Sequence, residues 1–281
     1  MKLACILHEG VQKVVEIKGG SALVLDHPCD GTGVVGAIRA GAHLLPRIRE
    51  VALSECVLLA PVPTPPRVFG IGLNYRDHAV ETGREPPKIQ TWFMKQTTSV
   101  NAPFGDVDKP SVSDALDFEV ELVVVIGARA RHVPRERTGE VIAGYCVGND
   151  YSVRDWQRAT PTMIMGKGFD THAPFGPWLT TSDAIQSLDS LRLRCFVNGI
   201  LMQNGCAKDL IFSVPDMIAH LSTAMTLLPG DIIFTGTPAG VGVARTPPLF
   251  LKHGDIVRCE IDQLGHIEQH IINEVKTTII S

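Results

Sequence analysis

The chain lacks any apolar run near the roughly 18 residues that a bilayer-spanning helix needs. Its first residues, Met1-Lys2-Leu3-Ala4-Cys5, run into polar sequence with neither the apolar core of a signal peptide nor an Arg-rich transit segment. The expectation is a cytoplasmic protein with no membrane partner. It also lacks an excess of positive charge. Lys and Arg number 26 against 30 Asp and Glu, a formal net charge of −4 that argues against an extended nucleic-acid footprint. The most basic stretch, ARARHVPRER near residue 130, reads as a solvated loop and helix start. There is no CxxC pair and no Cys/His cluster at zinc spacing. The cysteines, seven and scattered, read as small core residues with free thiols in a reducing compartment. No regular βαβα alternation is visible, which argues against a Rossmann fold or a TIM barrel.

What is present is globular. Hydrophobic residues make up 44% and charged residues 20% of 281 positions, enough to build a core without staples. LACILHEG, VQKVVEIKGG and SALVLD read as short strands, and HPCDGTGVVGAIRAGAHLLPRIRE as a loop and a helix. Pro61, Pro63, Pro65 and Pro66 then enforce extended backbone. That bridge divides a small N-terminal domain, residues 1–62, from a larger one, residues 63–281. In the larger part VFGIGLN, WFMK and DFEVELVVVIG read as strands, and NYRDHAVETG as a short helix stopped by Gly83. RERTGEVIAG and YSVRDWQRA read as helices around a YCVGND strand. The last hundred residues are strand-rich, interrupted by one helix, VPDMIAHLSTAM. The class is α+β, dominated by β-structure.

Three carboxylates stand out. Glu119 and Glu121 lie two apart on a strand and share a face. Leu122 to Ile126 are apolar on both faces, so the pair stands at the mouth of a core. There, like charges raise each other's pKa. Carboxylates are seldom fully buried unless paired, and with Asp150 the pair offers three hard oxygen ligands suited to Mg²⁺, Mn²⁺ or Ca²⁺. The competing reading is two exposed glutamates and a capping aspartate.

Other groups carry chemistry more weakly. His78 and Glu81 are three apart on a helix, where a carboxylate fixes the imidazole tautomer and makes a general base; a plain surface pair has the same spacing. If Asp150 opens a helix, Arg154 and Gln157 share its face, and Arg154 could clamp a substrate carboxylate. Lys167, in MGKGFD, could stabilise developing negative charge. The Gly-rich TGTPAGVG, residues 235–242, is neither a P-loop nor a GxGxxG turn, but its N–H groups and the Thr237 hydroxyl could hold an anion.

In order along residues 67–265, GLNYRDHAVETG, FMK, DFEVELVVVIG, the GND-xxx-RD-x-Q run, GKGFDTHAPFGPW, VNG, LLPGDIIFTGTPAGVG and FLKHGDIV resemble the fumarylacetoacetate hydrolase family. The resemblance implies a mixed β-roll or sandwich with a small N-terminal domain, usually a homodimer. It implies Mg²⁺ or Mn²⁺ on Glu119, Glu121 and Asp150, and a water-activating lid dyad in His78 and Glu81. It places Arg154, Gln157 and Lys167 at substrate-binding and charge-stabilising positions, and Thr237 near the substrate's carboxylate end. The implied reaction is hydrolysis of the C–C bond of a 2,4-dioxo acid, an acylpyruvate. Decarboxylation of an oxaloacetate-type acid and hydration or isomerisation of a 2-oxo-enoic acid need the same site. A non-catalytic scaffold is disfavoured because His78, Glu81 and Lys167 are all present. The PP-x-FLK-HGD ending looks most like the sugar-acid diketo hydrolase branch. Trp92 at a pocket-proximal place, Gly168, and residues 155–162 are individual to this chain and bear on the substrate.

Overall fold

The β-branched run after Glu119 forms the strand Val120–Ile126, buried at every position. Its neighbours are both antiparallel: Ile142–Asn149 on one side and Ile232–Phe234 on the other. The two faces feed different cores, as side-chain alternation dictates. Val120, Leu122, Val124 and Ile126 join a cluster with Leu193, Val257 and Ile267. Val123 and Val125 join a second cluster with Leu3, Val14 and Val34. The computed structural model of the chain describes residues 1–280.

This strand belongs to a twelve-stranded mixed sheet. Its path runs Arg47–Ala52, Ser21–Leu25, Val11–Lys18, Lys2–His8, Ala173–Thr180, Ile142–Asn149, Val120–Ile126, Ile232–Phe234, Val68–Gly72 and Thr91–Lys95. A five-stranded sheet, from Ile200–Cys206 to Val107–Lys109, covers the first cluster. The helix Val214–Ala224 packs Met217, Ile218 and Leu221 into the same cluster. It starts as its sequence dictates, with a capping box between Ser213 and Asp216. The β-rich α+β class read from the sequence is the fold observed.

Three local expectations are corrected. RERTGEVIAG is not an α-helix: 3₁₀ turns over Arg135–Val141 give way to the strand Ile142–Asn149. The N-terminal helix is only Val34–Arg39, and RIRE belongs to the strand Arg47–Ala52; Gly41, at φ +79°, and Pro46 break the path between them. The helix carrying Arg154 begins at Arg154 itself, after a short strand, Ser152–Val153. Asp150 does not open it, because backbone groups there are drawn into tertiary bonds, Asp150 N–H to the Glu119 carbonyl and Tyr151 N–H to that of His172. The cysteines are free, as expected, with Cys5 and Cys29 Sγ atoms 3.4 Å apart.

Close packing of the central sheet depends on Gly144. A Cβ there would meet the Thr180 carbonyl and stand 2.5 Å from Leu179 Cδ2. Gly144→Ala should therefore destabilise the protein by about 1–3 kcal/mol. Urea unfolding should show a lower midpoint at unchanged slope; an unaltered midpoint would refute this account of the sheet.

Candidate metal centre and active-site cavity

The sheet register assembles the carboxylates. Glu121 lies on the strand Val120–Ile126 and Glu119 immediately precedes it, while Val120 pairs with Asn149 on the next strand. Asp150, one residue on, donates its N–H to the Glu119 carbonyl at 2.9 Å. One oxygen from each of Glu119, Glu121 and Asp150 lies within 4.8 Å of the others, and all three residues are buried. Asp150 bridges two buried lysines: Lys95 Nζ donates to Oδ1 at 2.6 Å and Lys167 Nζ to Oδ2 at 2.6 Å. Lys167 also donates to Glu119 Oε2 at 2.7 Å. Arg154 Nε donates to Asp117 Oδ2 at 2.8 Å, and Nη2 lies 2.7 Å from Glu119 Oε1, an ion pair without hydrogen-bond alignment.

Charge counting tests the metal. Asp117, Glu119, Glu121 and Asp150 are four carboxylates, against three cations in Lys95, Arg154 and Lys167. One negative charge is left over, and it falls on Glu121. Among the described residues no cation forms an ion pair with Glu121; its Oε2 accepts only the Gly236 N–H at 2.7 Å. Burial, then Asp150 and Glu119, push the Glu121 carboxyl well above the ordinary range. A hard divalent cation among these oxygens fits the donor set and the uncompensated charge. Glu119 behaves differently from the mutual raising expected for two like charges. Burial raises it, but Lys167 and Arg154 outweigh burial and hold it at about 2. Burial lowers Lys95 despite Asp150 beside it.

Opposite stands the short helix Arg76–Glu81. His78 Nδ1 is 2.7 Å from Glu81 Oε1. With a carboxylate accepting from Nδ1–H, the lone pair is left on Nε2. Glu81 Oε2 accepts the Gly240 N–H at 2.8 Å, fastening the helix to the glycine-rich turn. That turn does hold anions, and they are the protein's own: Gly236 N–H holds Glu121, Gly240 N–H holds Glu81, and Gly242 N–H holds Asp117 at 2.8 Å. Gly236 is required there, at φ +97° with Asn74 Cβ 2.7 Å from where its own Cβ would stand. The Thr237 hydroxyl donates to the Val120 carbonyl at 2.9 Å and accepts from Gln203 Nε2 at 2.8 Å.

These groups surround a cavity of about 820 Å³. His78, Glu81, Glu119, Glu121, Arg154, Gln157, Lys167 and Thr237 line it; Asp150 sits behind, between its lysines. Arg154 and Gln157 do converge, Nη1 to Oε1 at 3.0 Å, but Asp150 does not share their helix face. Trp92 is not in the wall. Alternation turns Thr91 and Phe93 inward and sets Trp92 edge-on to Phe69, with centroids 6.4 Å apart. Lys95 and Asp117 went unnoticed in the sequence. Lys95 lies two beyond Phe93 on the same strand face, and Asp117 two before Glu119, so period-two spacing was the available signal.

A β-rich fold with a buried acidic triad and a His–Glu pair lining one cavity defines a protein with a candidate divalent-metal site. Residues 67–272 match the fumarylacetoacetate (FAA) hydrolase C-terminal family, and the chain belongs to the fumarylacetoacetate hydrolase family. It is 42% identical over 238 residues to oxaloacetate tautomerase FAHD2A, mitochondrial, of Homo sapiens, covering 84% of this chain and 74% of that protein. It is similar to the solved structure of a fumarylacetoacetate hydrolase from Exiguobacterium antarcticum, at TM-score 0.85 and 30% identity, covering 98% of this chain and 100% of that one. It also resembles maleylpyruvate hydrolase from Sphingobium sp. SYK-6, solved with manganese(II) and pyruvate, at TM-score 0.78, 29% identity and coverage of 97% and 99%. Similar proteins thus include hydrolases and a tautomerase, and a solved 5-carboxymethyl-2-hydroxymuconate delta-isomerase from Mycobacterium smegmatis is similar too, at TM-score 0.82 and 29% identity, covering 98% of this chain and 100% of that one. No helix among the described residues is long and apolar enough to cross a membrane.

Glu121→Gln tests the triad. It removes the carboxylate that side-chain cations do not reach, so the metal-free variant should unfold at or above the wild-type temperature. Mn²⁺ should raise the melting temperature of the wild type by mass action and leave the variant nearly unmoved. Equal Mn²⁺ stabilisation of both proteins would exclude Glu121 as a ligand.

Proposed function

We propose that the protein is a divalent-metal-dependent enzyme that carries a 2-oxo acid through its enolate, and that keto–enol tautomerisation of an oxaloacetate-type acid is its reaction. The observation that carries this reading is the placement of a carboxylate-oriented imidazole, His78, lining the same cavity as Glu119 and Glu121 of the acidic triad. The name of the human relative supports the choice of reaction.

In this reading a Mg²⁺ or Mn²⁺ ion on Glu119, Glu121 and Asp150 would supply Lewis-acid polarisation of the 2-oxo group. Arg154, positioned by Asp117 and paired with Gln157, binds the C1 carboxylate. The Lys167 ammonium, fixed between Glu119 and Asp150, lowers the cost of negative charge on the enolic oxygen. Thr237 sets the wall against which the carboxylate end rests. His78 Nε2 takes a proton from C3 of the keto form and, as the imidazolium, delivers it to the enolate oxygen. From the enol, Nε2 takes the hydroxyl proton and returns it to C3. Composition is unchanged, and Glu81 holds the ring through both directions.

Hydrolysis of an acylpyruvate is the second reading. It is favoured by a cavity far larger than a four-carbon acid fills, leaving room for water beside the dyad, and by the likeness to maleylpyruvate hydrolase. Here the same imidazole would take its proton from water. The homodimer implied by the family resemblance and the cytoplasmic location expected from the sequence belong to the proposal too. Light scattering tests the first; fractionation, set against a mitochondrial human relative, tests the second.

Purified protein with Mg²⁺, Mn²⁺ or EDTA, given enol-oxaloacetate and a panel of acylpyruvates, separates the readings. Metal-dependent decay of the enol band with no new acid establishes the tautomerase. Pyruvate plus a second acid establishes the hydrolase, and CO₂ release a decarboxylase. In His78→Ala, turnover should fall about 10²- to 10⁴-fold while calorimetric Mn²⁺ binding persists. Undiminished turnover would remove His78 from the chemistry.

A further inference from the structure

Away from the acidic triad, the cavity wall carries three guanidinium groups, Arg84, Arg158 and Arg245. The arginine ion pairs among the described residues lie elsewhere. The carboxylates of the wall are Glu81, Glu119 and Glu121, and each is already engaged: by His78 and Gly240, by Lys167 and Arg154, and by the Gly236 amide. Among the described residues no carboxylate of the wall forms an ion pair with any of these three arginines.

Arg84 and Arg158 are exposed, and water can serve them. Arg245 is half-buried and held in place. Its Nε donates to the Gly240 carbonyl at 3.3 Å, and Nη2 donates to the Met202 and Gly240 carbonyls at 2.9 and 3.1 Å. Two carbonyls orient the fork without neutralising it. Nη1 has no protein acceptor among the described residues. Gly240 also fixes Glu81, so Arg245 lies on the dyad's side of the cavity. A planar, pre-oriented, unpaired guanidinium is the group best matched to a carboxylate.

We propose that Arg245 binds the second carboxylate of the oxaloacetate-type acid and is the residue that selects a diacid over a monoacid. The inference rests on the reading of the site given above. The 2-oxo acid end lies at Arg154 and Lys167; the distal carboxylate meets Arg245 and brings the intervening carbon to His78.

The test is calorimetry on the Mn²⁺-loaded full chain with two acids of equal length, 2-oxoglutarate (a diacid) and 2-oxopentanoate (a monoacid). The wild type should prefer the diacid. Arg245→Met should weaken diacid binding roughly 10- to 100-fold and leave the monoacid unchanged, and Arg245→Lys should keep part of the preference. Equal weakening of both acids would assign Arg245 to holding the turn and overturn the proposal, as would a wild type without preference or without binding. A variant that fails to fold is recognised by its melting temperature, and the lysine variant then decides. Because binding is read without turnover, an intact diacid preference in a protein that leaves enol-oxaloacetate untouched would refute the tautomerase reading alone.

Discussion

Four carboxylates buried at one rim of a sheet set the terms for everything near them. An ionised carboxyl taken from water is costly unless charge or hydrogen bonds replace the lost hydration. Asp117 is compensated by Arg154 and three backbone amides, Asp150 by two lysines, and Glu119 by a lysine and an arginine. Glu121 receives a single amide. The lysines are buried only because the carboxylates are, and the glycine-rich turn has its shape because its amides must reach three carboxylates. Remove the acidic cluster and neither arrangement has a physical reason to exist.

One member of the cluster sits on a core strand. Val120–Ile126 is hydrogen-bonded on both edges and packed on both faces, so Glu121 inherits the positional precision of that strand, and Glu119 and Asp150 flank it at the ends of paired strands. The facing wall is a six-residue helix and a turn. A fixed charged floor beneath short, replaceable walls is consistent with similar proteins that include hydrolases, an isomerase and a tautomerase.

Much of this was legible in residue order. Period-two spacing put Glu119 and Glu121 on one face, and i,i+3 spacing put His78 against Glu81; both follow from local geometry alone. Asp150 was identifiable as a candidate, but not how it is held. Its position comes from antiparallel register with Glu119, a long-range fact, and expecting it to open a helix was wrong because its backbone bonds across the sheet. The turn at 235–242 was read as an anion holder without its anions, since Glu81, Asp117 and Glu121 reach it from other parts of the chain. Lys95 was passed over as one letter of a strand; a lysine on the inward face beside Phe93 was the signal. RERTGEVIAG shows the converse limit, a helical-looking segment converted by pairing demands of the sheet it enters.

Asp117 takes Arg154 with one oxygen and the amides of Gly242 and Val243 with both, so the helix bearing Arg154 and the end of the glycine-rich turn are cross-linked through one side chain. Those two walls cannot part without exposing a buried charge. The Arg76–Glu81 helix, by contrast, reaches across to the turn through Glu81 and Gly240, and one hydrogen bond to a carboxylate is worth about 1.5–3 kcal/mol. Parting that helix from the turn would break this one bond, which also positions the carboxylate that orients His78, and would leave the Asp117–Arg154 cross-link in place.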